Sequence, residues 1–243
     1  MKSVIWLALF FWGSVAISAE GTNDVIVPSG TFQLLFQDKG ESASRIGRLK
    51  VNRTPVTNAQ FLAFVKAQPE WSRSKVKPLY ADGSYLKKWN GDLSFDSKFA
   101  NFPVVNISWF AARAYCKSRG QRLPTIAEWE YFSDAQNPQA EAETLRWYAK
   151  GQEDLRGVGL GKPNKFGLHD TAGLVWEWVE DFSSAIMPGD SREGPARDMF
   201  CGGAALNAKN PKQYAAFMRY ALRSSLRAQY TTSSLGFRCV QDF

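Results

Sequence analysis

Apolar residues recur at helical spacing in three short stretches, each introduced by a polar capping residue. Thr57 stands three residues before Gln60, the reciprocal arrangement of a capping box, and Phe61, Leu62, Phe64 and Val65 then form one stripe. Pro69 ends that helix, because its ring excludes the preceding turn and it has no N–H to give. Ser108 precedes Trp109, Phe110, Ala111, Ala112, Ala114 and Tyr115, and Gly120 suits the C-terminal cap; Cys116 lies on this second helix. Thr125 and Glu128 form a further capping box that opens a helix through Trp129, Glu130, Tyr131 and Phe132, while Pro124 keeps the approach extended. Strand-like alternation is confined to residues 25–27, 31–36 and 236–240. Between these pieces Gly, Pro, Asp and Asn are frequent, which predicts irregular but packed backbone. With no internal repeat and no low-complexity linker, the pattern describes one domain, about residues 21–243.

Residues 1–19 read differently. Lys2 supplies a positive start, residues 4–12 are apolar and uncharged, and residues 14–19 are mostly small, the order of a signal peptide with cleavage expected after Ala19. The run is shorter than the roughly 20 residues a membrane span needs. The expected location is therefore the periplasm or the medium. The remaining composition, 44% apolar and 22% charged, excludes a disordered tail or a coiled-coil rod.

Export changes the meaning of charge. The chain carries +7, and +6 once Lys2 is removed. The basic residues are scattered, with Arg73, Lys75 and Lys77 in one loop and Lys87-Lys88 apart, so nucleic-acid binding is not expected. Solubility, or contact with an anionic membrane surface, glycan or acidic protein face, fits better. An oxidising compartment also allows the three cysteines, Cys116, Cys201 and Cys239, one internal bond. Counting alone leaves all three pairings open.

Several motifs lead nowhere. Gly157-Val158-Gly159-Leu160-Gly161-Lys162 lacks phosphate-loop spacing, and Pro163 stands where Ser or Thr would hold magnesium. His169 is the single histidine, so a histidine-based zinc or iron site lacks its ligands; a half-buried ring in a turn is expected. Glu128 and Glu130 lie two apart on a helix and do not share a face, which argues against paired-carboxylate hydrolysis.

Six ordered motifs nevertheless carry a resemblance. Arg122-Leu123-Pro124-Thr125-Ile126-Ala127-Glu128-Trp129-Glu130-Tyr131 resembles the RLPTEAEWEY signature of the formylglycine-generating enzyme family, also called the sulfatase-modifying-factor family. Thr54-Pro55-Val56-Thr57-Asn58 through Phe61, Pro103-Val104-Val105 through Cys116, and Gly167-Leu168-His169-Asp170 through Val175-Trp176-Glu177-Trp178 are similar to further family motifs. Gly202-Gly203 and Leu235-Gly236-Phe237-Arg238-Cys239 complete the series. The resemblance implies a single compact C-type-lectin-like α+β domain. It also implies a disulfide between Cys116 and Cys239, and a structural calcium held by the side chains of Asp170 and Glu177 with the carbonyls of Gly173 and Val175. One departure is Leu174, where the family has Asn. The alternative reading is that Asp170 caps the turn and Glu177 pairs with an arginine.

The oxidase members use two cysteines, just after the Gly-Gly, to bind Cu(I), an ion that prefers soft thiolates. Here residues 204–210 contain no Cys, and Asn207 falls about where the first thiol would stand. Cys201, just before the glycines, is a weak catalytic candidate, and copper is not expected. The resemblance thus points to an exported accessory or regulatory protein that binds a periplasmic protein partner and assists its maturation or control, as relatives do in nitrite reductase and type VI secretion neighbourhoods. Residues 71–102, with Tyr80, Tyr85, Trp89 and Phe95 among charges, are the expected contact surface, or else a loop packed on its own domain. The alternative is an oxidoreductase acting on a protein side chain or small secondary product, with Asn207, Arg219, Arg223 and Arg227 around a cleft for an anionic group. Glycan binding is suggested by fold analogy alone.

Overall fold

The computed structural model describes residues 24–33, 42–151, 155–185 and 211–243. The signal-peptide segment, Cys201 and Asn207 lie outside them. A three-stranded antiparallel sheet joins the two ends of the described chain. β4 (Leu49–Asn52) lies between β1 (Asp24–Val27) and β7 (Val240–Asp242), with Val51 opposite both Val25 and Val240. Side chains alternate along β4, so Leu49 and Val51 enter the core while Lys50 and Asn52 lie half-buried. Two small sheets flank it: β2 (Gly30–Phe32) with β3 (Ser44–Ile46), and β5 (Trp176–Glu177) parallel to β6 (Leu235–Gly236).

The three capped helices form where the spacing predicts them. α1 (Asn58–Ala67) begins with the reciprocal capping box: Gln60 N–H donates to Thr57 Oγ1, and Thr57 N–H donates to Gln60 Oε1 at 2.9 Å. α2 (Trp109–Ser118) is capped by Ser108 and is followed by Gly120 at φ +68°, a left-handed turn that a β-carbon would strain. α3 (Ile126–Phe132) carries the second box, from Thr125 and Glu128. Two further helices were not legible in the pattern, α4 (Pro138–Ala149) and α5 (Pro211–Ser225). Their inward faces explain why. α4 buries Glu141 and Thr144 beside Trp147, and α5 buries Arg219 and Arg223 beside Ala215 and Tyr220. Polar residues break the apolar stripe that announces a helix.

Aromatic rings fill the space between helices and sheet. Phe61 lies at their centre, stacked on Tyr115 at 5.8 Å and edge-on to Phe237 at 6.2 Å and Trp89 at 6.3 Å. Trp178 is fully buried and donates its indole N–H to the Ile107 carbonyl at 2.8 Å. A Cys116–Cys239 disulfide, Cα to Cα 5.5 Å, fastens α2 beside the last strand across 123 residues of sequence. Closing so long a loop restricts the unfolded chain by roughly 4–5 kcal/mol.

Candidate functional site

Four consecutive side chains of α3 reach out to four different parts of the molecule. Glu128 takes both guanidinium nitrogens of Arg122 at 2.7 Å and caps its own helix. Trp129 donates its indole N–H to Glu177 at 2.8 Å. Glu130 accepts from Arg219 and Arg223 of α5 at 2.7–3.1 Å. Tyr131 donates to the Pro28 carbonyl at 3.3 Å, and lies so close over Gly30 that a β-carbon there would come within 2.4 Å of its hydroxyl. The motif is therefore a hub that positions other elements.

Two buried ionic clusters meet at this hub. In the first, Glu177 and Arg238 are both fully buried and pair through both carboxylate oxygens at 2.8–3.0 Å. The same guanidinium donates to the His169 carbonyl at 2.9 Å and to those of Asn52 and Arg53, so one side chain holds β4, β5 and the 161–173 segment together. In the second, Glu130 lies between Arg219 and Arg223, each arginine about 4% exposed. Burial alone would raise the Glu130 carboxyl; the two guanidiniums outweigh it and hold it below its ordinary value. Trp129 bridges the clusters, with the Arg223 guanidinium 5.0 Å from its ring centre. Nearby, Asp181 accepts from Ile126 N–H at the start of α3, and burial raises its carboxyl.

These contacts correct the expected cleft. Arg219 and Arg223 are buried and committed to Glu130, and so offer no open face to an anion. Arg227 turns elsewhere, over the Tyr230 ring at 5.7 Å. Their i, i+4 spacing on a charged helix was the available signal, and a buried acid is what such a pair requires.

The calcium expectation meets a similar obstacle. Both Glu177 oxygens face the Arg238 guanidinium, and one also takes Trp129. Asp170 faces Arg156 at 2.8 Å and accepts from Gly159 N–H, its backbone in the left-handed region at φ 56°. Leu174 is fully buried and gives no donor atom from its side chain. Among the described residues no three acidic, histidine or cysteine side chains are grouped for a metal. The donor set of Asp170, Gly173, Val175 and Glu177 does not fit calcium here, because arginines already neutralise its two carboxylates. Glu177 is held by an arginine, and Asp170 pairs with Arg156 and accepts from Gly159 N–H. His169 is half-buried in a turn, with Nδ1 2.8 Å from the Gly161 carbonyl.

The 71–102 segment divides in two. Tyr85 and Trp89 pack inward, and burial pushes the Tyr85 phenol well above its ordinary value. Trp89 donates to Asn58 at 2.9 Å, and its carbonyl accepts from Arg73. Trp71 and Tyr80 instead remain partly exposed and continue into α2, with rings in contact from Trp71 to Tyr80 (5.8 Å), Phe110 (5.2 Å) and Trp109 (5.4 Å). Arg113 lies over Trp109 and pairs with Glu180.

A hub of buried carboxylate–arginine pairs within a sparsely regular α+β domain defines a class of scaffold in which charge replaces extended sheet and helix. The chain belongs to the family of the sulfatase-modifying factor enzyme 1-like domain, whose model matches residues 15–243. It is 30% identical over 285 residues to a formylglycine-generating enzyme of Thermomonospora curvata, covering 90% of this chain and 93% of that one. It is 35% identical over 279 residues to a Bos taurus protein named inactive C-alpha-formylglycine-generating enzyme 2, covering 92% and 89%. The structure of PvdO from Pseudomonas aeruginosa has the same fold, with a TM-score of 0.51 at 15% identity over 90% of this chain and 94% of that one. The fold is thus the compact domain of formylglycine-generating enzymes.

Proposed function

We propose that this protein is an exported binding member of its family, which assists the maturation or control of a partner protein and does not act as a copper-thiolate oxidase. One observation carries the reading. The chain has three cysteines, and Cys116 and Cys239 are joined to each other. Cys201 is then the single thiol left, and one thiolate does not make the two-sulfur site that Cu(I) favours. That a relative 35% identical is named inactive is consistent with loss of the oxidase chemistry in this family.

The partly exposed rings of Trp71, Tyr80, Phe110 and Trp109 support a contact role, since aromatic residues beside arginine and lysine concentrate binding energy at interfaces. Exposed Arg73, Lys75 and Lys77 border Trp71, which favours an acidic partner face.

The test pairs two measurements on the purified chain. Copper(I) titration followed by oxygen uptake with a cysteinyl peptide should show no unit-stoichiometry binding and no turnover. Affinity capture from periplasmic extract should retain a defined protein, and Tyr80→Ala with Phe110→Ala should release it while Cys201→Ser should not. Stoichiometric copper uptake with peptide oxidation would overturn the proposal.

A further inference from the structure

A cleft of ≈ 580 Å³ runs along the outer face of α4, walled on its far side by the 161–173 segment. The volume lies within the roughly 300–1,000 Å³ of small-molecule sites. Glu143, Arg146 and Lys150 line the α4 side, three and four residues apart on one exposed face. Arg156, Lys162, Lys165 and the buried Asp170 line the rest of the wall. Trp147, 7% exposed, also lines it, and among the described residues its indole N–H meets no acceptor.

Charge within this space is only partly balanced. Asp134 takes Lys165 at 2.7 Å, and Asp170 takes Arg156 at 2.8 Å. Among the described residues, Arg146, Lys150 and Lys162 have no carboxylate at ion-pair distance, and Glu143 is the remaining acid of the lining. Cations from two separate walls therefore share one concave space, which raises the local positive potential and concentrates anions there.

We propose that this cleft binds a small multivalent oxyanion, a ligand carrying two or more carboxylate or phosphate groups. Arg146 offers a planar fork that matches such a group, while Lys150 and Lys162 act as point charges toward a second one. Arg156 and Lys165 keep Asp170 and Asp134 neutralised, so these acids do not repel the ligand. The site is separate from the aromatic surface of the partner-binding reading and does not depend on it.

Citrate and pyrophosphate serve as carboxylate and phosphate probes, titrated calorimetrically into the full chain at constant ionic strength. The wild type should bind at least one of them saturably at one site. The variant Arg146→Gln/Lys150→Gln/Lys162→Gln should bind about tenfold or more weakly with an unchanged melting curve, because all three side chains are exposed. Lys162→Gln alone should give the same change at smaller amplitude. The control Lys66→Gln/Lys87→Gln/Lys117→Gln removes equal charge from exposed positions elsewhere and should bind like wild type. Absence of saturation with both probes, or equal weakening in cleft and control variants, would overturn the proposal.

Discussion

The indole N–H of Trp129 donates to the Glu177 carboxylate at 2.8 Å, joining the α3 signature to the buried ion pair that Glu177 makes with Arg238. The bond links helix to strand between two residues that are each only 5% exposed. Trp129→Phe keeps most of the ring volume and removes the donor. A hydrogen bond to a charged group contributes about 1.5–3 kcal/mol, so urea denaturation should show a loss of that size. A change below about 0.5 kcal/mol would mean that the pair is indifferent to its third partner.

Glu130 tests the second cluster. Glu130→Gln leaves two buried guanidiniums facing a neutral amide, which should cost about 3–5 kcal/mol. Because Glu130 is what α5 grips, amide exchange should rise across residues 214–225 before the rest of the fold yields.

The same residue sets an acid dependence. The carboxyl titrates near 4.5 in the unfolded chain and lower in the fold. Its contribution is therefore complete above about pH 4.5 and is lost as pH falls through the folded value. Stability of the wild type should drop on acidification below that point, and Glu130→Gln, already weakened, should show a shallower acid limb.

Disulfide connectivity gives a direct chemical count. In denaturant without reductant, thiol titration of the full chain should find one reactive cysteine, Cys201, and three after reduction. Cys116→Ser with Cys239→Ser should destabilise by about 2–5 kcal/mol.

Chelation tests the Asp170–Glu177 region. With both carboxylates of the Asp170–Glu177 region facing arginines, the melting temperature should be the same in calcium and in EDTA. Glu177→Gln should lower it equally in both, since the damage is an unpaired Arg238. A calcium-dependent rise would show that the ion displaces an arginine.

Legibility in the sequence followed chemistry that is local. α1, α2 and α3 could be placed because Thr57, Ser108 and Thr125 cap within a few residues of the apolar stripe they introduce. α4 and α5 could not, because polar residues interrupt their buried faces, and for α5 the partner lies far away: Glu130 for Arg219 is 89 residues distant. The Cys116–Cys239 pairing was equally non-local, and family likeness supplied what counting could not. For Glu177, two readings were open, calcium ligand or arginine partner, and the deciding group, Arg238, stands 61 positions later. The arginines of α5 suggested a cleft for the same reason: a one-dimensional string shows a charge without showing its counter-charge.

Because β1 and β7 flank opposite edges of β4, the central sheet cannot be completed from either half of the polypeptide. A nascent chain has to hold β1 and β4 ready until residues 240–242 have been synthesised. Such distant pairing makes folding slow relative to local helix formation.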